Sequence, residues 1–286
     1  MKIVISAALL TCFIYSSLAQ ENYFGQSPPG INPEIFAPGI VSLEGRYEYG
    51  ISFSPELKEV YFTADTKDEG TSIYFSRIEN GKWSIPKRAN FTEDRMSSEM
   101  EPHVTLDGER IYFTAFNSGG YRIWYVTRMD GNWSRAEMLD SPLNNDNVLY
   151  PNTEVNGDIY YTNLSKLKVF YSKNRDGKYP EASEVGNEYG LHGFIDPLKK
   201  FMLFDAPKEN NSSRDRDIYV CFWNNDSTWT RPVNLGKEVN TIYNESCASV
   251  SPDGKYLFFS RYNETDGLPD IYWVSSEIIR SLGPEN

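Results

Sequence analysis

Ala248-Ser249-Val250-Ser251-Pro252-Asp253-Gly254-Lys255-Tyr256-Leu257-Phe258-Phe259-Ser260-Arg261 is the stretch from which the architecture follows. A short strand of small and polar residues leads into the turn Ser251-Pro252-Asp253-Gly254, and a strand crowded with aromatic residues leads out of it. An Asp-Gly pair tolerates the positive φ angles of a two-residue hairpin turn. Aromatic and β-branched residues suit a pleated, half-buried surface. The same paired strands recur as GISFSPELKEVYFTA (50–64), PHVTLDGERIYFTA (102–115), PNTEVNGDIYYTN (151–163) and GFIDPLKKFMLFDA (193–206). Measured on the second strand of each pair, Val60, Ile111, Ile159, Met202 and Leu257 lie 51, 48, 43 and 55 residues apart. Periods of this size, filled with short strands alone, mark a propeller or an array.

Each unit continues into a third strand, as in Ser72-Ile73-Tyr74-Phe75 and Arg122-Ile123-Trp124-Tyr125. A turn follows, with Trp83, Trp133, Tyr179 or Trp229 just beyond it to open a fourth, outer strand. Aromatic residues at one fixed place in every repeat are the pattern of packing between blades rather than of a sugar platform. The fifth unit has no outer strand; Ser275-Ser276-Glu277-Ile278-Ile279-Arg280 reads instead as a short capped helix. Residues 34–41 precede the first unit as residues 232–239 precede the last, so the N-terminal segment is expected to complete the fifth sheet. Closure of this kind leaves no open strand edge. The expected fold is therefore all-β, a five-bladed β-propeller of four-stranded antiparallel blades; a sixth blade would need another four-stranded unit.

Met1-Lys2, the apolar run from Ile3 to Tyr15 and Ser17-Leu18-Ala19 read as a secretory signal peptide over residues 1–19. Lipidation at Cys12 is the alternative. Residues 20–33 then form a linker and 34–286 a single propeller domain. No later stretch is long and apolar enough to form a membrane-spanning segment, and the chain is expected to be periplasmic or secreted, as a monomer. With 28 Lys and Arg against 40 Asp and Glu, the net charge is −12. Such a surface repels phosphate backbones, which argues against a nucleic-acid partner. Cys221 and Cys247 sit in apolar strands, where a disulfide and buried free thiols are both open readings.

Val239-Asn240-Thr241-Ile242-Tyr243-Asn244-Glu245, together with Ser251-Pro252-Asp253-Gly254-Lys255-Tyr256-Leu257-Phe258-Phe259-Ser260, resembles the Ser-Pro-Asp-Gly repeat of TolB-like, WD-type bacterial β-propellers. The ending Asp270-Ile271-Tyr272-Trp273-Val274 with its terminal helix is similar to exported members of that group. The resemblance covers about residues 34–280. It is strongest in the fifth unit and weakest in the third and fourth, where Asp196-Pro197-Leu198-Lys199 replaces the turn. It implies an exported propeller that binds proteins or cell-envelope material, although a shared fold does not by itself assign a function.

Inner strands of a propeller begin at the mouth of its channel. In register, Glu48, Glu99 and Glu245 share one position, and Gly50, Glu101, Tyr150, His192 and Cys247 share another two residues further in. With Asn152 nearby, the candidate ligand-binding set is Glu48, Glu99, Glu101, Tyr150, Asn152, His192 and Glu245. The repeated Glu can brace backbone N–H groups, the ring of carboxylates can hold Ca²⁺, or a pair of them can do acid/base work on a glycan. His103, inside an inner strand, reads as a hydrogen-bonded structural residue. There is no G-x-S-x-G elbow, paired-His zinc spacing or Cys-x-x-Cys. No catalytic residue is assigned and Ca²⁺ is the one cofactor considered. The leading expectation is a non-catalytic binding propeller that recognises a protein or a cell-envelope or glycan ligand at the channel mouth. The alternative is a carbohydrate-active enzyme, a glycoside hydrolase or lyase, using axial carboxylates.

Overall fold

A computed structural model describes residues 23–186, 190–208, 215–262 and 267–284. The expected signal peptide and Cys12 lie outside the described residues. Five antiparallel sheets follow one another along the chain. In the first, Tyr47–Phe53 is innermost, followed by Glu59–Thr66, Gly70–Glu79 and an outer edge split into Lys82–Trp83 and Lys87–Arg88. The second repeats this as Ser98–Val104, Arg110–Asn117 and Gly120–Met129, with outer pieces Asn132–Trp133 and Glu137–Met138. The inner strands of the other three are Val148–Thr153, Leu191–Ile195 and Glu245–Val250. These are the five blades of a propeller, and the loops leading into the inner strands share one face, here the upper face.

The ring closes through the N-terminal segment. Glu34–Ile35 pairs antiparallel with Pro269–Ser275, Glu34 opposite Trp273 and Ile35 opposite Tyr272. The closing strand is shorter than residues 34–41 because Ala37 (φ 44°) and Gly39 (φ 78°) turn the chain away around Pro38, which has no N–H to offer the ladder. Before it, Tyr23 is buried among Phe53, Tyr256, Phe258 and Trp273, and its hydroxyl donates to Asp253. The C-terminal helix is one turn, Glu277–Arg280. Ser276 does not cap it; its hydroxyl donates to Gly254 O, and Ser275 Oγ accepts from Glu277 N–H instead.

The hairpin turns differ from a two-residue design. In every blade the fourth turn residue alone is left-handed: Leu57, Gly108, Gly157, Lys199 and Gly254. Each donates its N–H to the residue three positions back, from Leu57 to Ser54 through Gly254 to Ser251. The result is a type I turn followed by one left-handed residue. Asp196-Pro197-Leu198-Lys199 makes the same turn as the Asp-Gly units, with a lysine bearing the positive φ.

Apolar residues gather into five clusters at the seams between blades. The recurring outer aromatics stitch these seams. Trp133 Nε1 donates to the Tyr61 hydroxyl of the blade before it at 2.8 Å, and the Tyr179 hydroxyl lies 3.1 Å from that of Tyr112. Buried Tyr and Trp need a partner for their polar end, and here the preceding blade supplies it. No helix among the described residues is long and apolar enough to cross a membrane.

Candidate functional site

Every inner strand carries a bulge at the same place. The register slips between Tyr49 and Ser52, Met100 and His103, Leu149 and Asn152, Leu191 and Phe194, and Ser246 and Ser249. The extra residue is left-handed in all five: Gly50 (φ 56°), Glu101 (56°), Tyr150 (56°), His192 (47°) and Cys247 (54°). A bulge re-aims its side chain, and five of them around a ring aim at the axis. Glycine adopts this conformation without penalty, whereas bulkier residues bear roughly 1 kcal/mol or more each. Only the first blade uses glycine. A Cβ at Gly50 would stand 3.3 Å from Glu101 Cα, so the missing side chain also makes room for Glu101.

The four axial side chains meet across the channel. Tyr150 of blade three reaches to blade five, its hydroxyl donating to Ala248 O at 2.9 Å. Its ring packs edge-on against His192 at 5.3 Å. Below Tyr150 lies a narrow cavity of about 50 Å³ bounded by Phe53, Val104, Phe194 and Phe258. Above it, His192 sits between two carboxylates: Nδ1 is 2.7 Å from Asp205 Oδ1 and Nε2 faces Glu101 Oε1 at 3.6 Å. Glu101 Oε2 accepts from Thr114 Oγ1 and from Tyr150 N–H, both at 2.8 Å. Asp205 also accepts from Arg216 Nε and more weakly from Cys247 N–H. The His192 side chain is 18% exposed while those of Glu101 and Asp205 are 3% and 1% exposed, so solvent reaches the cluster at the imidazole.

Burial and pairing compete for the charges of this cluster. Burial raises the Glu101 carboxyl above its ordinary range despite His192 and Thr114. It acts the same way on Asp205, but His192 and Arg216 outweigh it and hold that carboxyl low. His192 loses from burial and is nevertheless held well above its ordinary value by Cys247 and Asp205. Burial keeps the Cys247 thiol protonated through neutral pH, so Asp205 is the partner that matters there.

The structure therefore brings Glu101, Tyr150 and His192 together. It places Glu48, Glu99 and Glu245 apart from them, each fully buried and held near its own lead-in loop. Glu99 accepts from Phe91 N–H, Thr92 N–H and Thr92 Oγ1 at 3.1, 2.6 and 2.5 Å. Glu48 accepts from Leu43 N–H and Arg46 Nε, and Glu245 from Thr241 Oγ1, with Arg261 beside it. Asn152 clasps the next blade through Ile195 N–H at 2.8 Å, as Ser52 clasps Val104 and as His103 Nε2 clasps Thr153 N–H. Burial pushes the His103 ring down to about 4, which suits a neutral acceptor. Cys221 and Cys247 are both buried free thiols.

Asp205 and Arg216 are absent from the set drawn from inner strands. The signal for Asp205 lies in the second strands, where the equivalent residues are Thr63, Thr114, Thr162 and Ser260. In that column Thr63, Thr114 and Ser260 bond to the following inner strand, as Thr63 does with Glu101 N–H, while the Thr162 hydroxyl is buried without a partner among the described residues. Asp205 alone replaces the hydroxyl with a charge.

No family model matches the sequence, and no curated protein matches it. Solved structures share its fold. Against TolB from Acinetobacter baumannii, 80% of this chain aligns with 54% of that chain at 13% identity and TM-score 0.51. The chain thus spans about half of that protein. A gluconolactonase from Xanthomonas campestris aligns over 87% of this chain and 97% of its own at 11% identity, TM-score 0.50. The GH43 protein BlXynB from Bacillus licheniformis aligns over 88% and 57% at 11% identity, TM-score 0.52. Identities this low speak for the fold alone.

Proposed function

We propose that this chain is an exported, TolB-like, non-catalytic β-propeller that binds a protein or a cell-envelope glycan at the upper mouth of its channel. The observation that carries this reading is the axial ring: where one blade keeps glycine, four bear a strained backbone to present Glu101, Tyr150, His192 and Cys247. Strain of this kind collects at functional positions. The side-chain cluster it builds has the composition of a ligand site, aromatic residues beside a few convergent polar groups. Tyr47 and Tyr49, whose rings are 5.0 Å apart, extend it. Glu101, Tyr150 and His192 would meet the ligand, and Glu48, Glu99, Glu245 and Asn152 would hold the loops and blades that frame it. Export rests on the N-terminal apolar run of the sequence.

The test is binding of the purified protein to a panel of defined glycans and to fractionated envelope material. A ligand that wild type retains and the E101Q/H192N variant loses, at unchanged melting temperature, supports the reading. Equal retention by both would place the binding surface elsewhere. The reading as a glycoside hydrolase or lyase draws on one observation, that Glu101 and Asp205 flank a partly exposed imidazole. Release of reducing ends or unsaturated products from a bound glycan would favour it.

A further inference from the structure

We propose that Glu101, His192 and Cys247 form a binding site for a divalent transition ion of the zinc class. The proposal deepens the axial-mouth reading and rests on it for its biological use. A carboxylate oxygen, a ring nitrogen and the sulfur of these residues all lie within 4.8 Å of one another. They come from blades two, four and five, so the convergence is a product of the closed ring and not of local sequence.

In two of the three residues, one polar atom is tied outside the cluster and the other is turned into it. His192 Nδ1 is engaged by Asp205 and Glu101 Oε2 by Thr114 and Tyr150 N–H, which leaves Nε2 and Oε1 facing each other at 3.6 Å. That separation is long for a charge-assisted hydrogen bond. It is close to the spacing of about 3.3 Å expected between N and O ligands on one tetrahedral zinc, given metal–ligand bonds of roughly 2.0–2.1 Å. An Asp carboxylate on the far nitrogen of a metal-binding His is the usual orienting partner, and Asp205 is in turn held by Arg216. All three residues stand at positive φ, where Gly50 shows that the fold accepts glycine.

The donors decide the metal. Binding would release the Cys247 thiol proton and the His192 ring proton, and a thiolate, an imidazole and one carboxylate suit zinc and its neighbours; Ca²⁺ and Mg²⁺ prefer oxygen alone. The three Glu that could have made an oxygen cage, Glu48, Glu99 and Glu245, are taken up near their own loops. Three protein ligands leave a fourth tetrahedral position, and His192, 18% exposed, is the member of the set that solvent reaches. A ligand group such as a carboxylate or hydroxyl would complete the coordination there.

The experiment uses the purified full-length protein, stripped with a chelator and titrated with Zn²⁺ against a chromophoric competitor, then with Co²⁺ followed spectroscopically. The expected result is one ion per chain and a thiolate-to-cobalt charge-transfer band. C247S should abolish the band, and E101Q and H192N should each weaken Zn²⁺ by about tenfold or more. D205N, a change at a positioning residue, should keep the band and lose about 10–100-fold in affinity. C221S, which removes the other buried thiol, should change neither. No uptake by wild type, or a band that survives C247S, would overturn the proposal without needing any variant to fold perfectly. The two readings fail separately. Normal zinc uptake with glycan or envelope binding indifferent to E101Q/H192N sinks the mouth reading, whereas variant-sensitive binding by a protein that takes no zinc sinks the metal site.

Discussion

Glu99 and Glu101 are two residues apart on one strand and have opposite fates. Glu99 is enclosed by Phe91 and Thr92 of its own lead-in loop. Glu101 leans over the axis, in the space Gly50 leaves, toward an imidazole from a blade that is not its neighbour. The bulge at Glu101 is what separates them, because a left-handed residue re-aims its side chain out of the alternation of the strand. In three inner strands the repeated and the variable position therefore sit side by side. The position occupied by one residue type in three blades is a brace, and the position occupied by five different residues is where we propose the ligand meets the ring.

The contrast can be broken most directly by removing the brace. Glu99→Ala leaves two backbone N–H groups and a hydroxyl without their acceptor in a buried loop, and should cost about 3 kcal/mol or more. His192→Asn should cost no more than about 1 kcal/mol, since Arg216 still pairs Asp205. Urea titrations that gave the two variants equal losses would erase the distinction. Glu48 offers a pH version of the same test. Burial pushes its carboxyl up to about 8 from an ordinary 4.5, against the pull of Arg46 and Leu43. A raised folded value means its stabilisation is complete below about pH 4.5 and is lost as pH rises through 8. Wild type should thus lose on the order of 4 kcal/mol between pH 5 and 9 that Glu48→Gln does not lose. Parallel profiles for the two proteins would refute the assignment.

Smaller effects sharpen the axial side. Gly50→Ala places a Cβ at positive φ and 3.3 Å from Glu101 Cα, a cost of about 1–2 kcal/mol. Tyr150→Phe leaves the buried Ala248 carbonyl without its donor and should cost about 1 kcal/mol. Thermal melts of both variants decide whether the ring tolerates change as a site or resists it as a core.

Much of this was legible in the residues. The blade number and the closing strand follow from a period that runs the length of the chain. The turns were half legible: Asp-Gly marks them, but Leu57 and Lys199 show that hydrogen bonding around the turn, more than glycine, sets the left-handed position. Register along the chain found the ring of Gly50, Glu101, Tyr150, His192 and Cys247. It could not find which members face one another, because opposition across an axis depends on the closure of the ring and leaves no trace in spacing. Asp205 was legible in principle, as the one acid in a column of hydroxyls, and Arg216 only through it.

The Tyr150 hydroxyl is anchored on Ala248, two blades away, so the ring lies as a stopper across the bore. A continuous polymer therefore cannot be threaded through this propeller as through a bead. A ligand docking from above, as proposed, would offer a chain end or a projecting group, and the cavity below the ring would be closed to it by Tyr150.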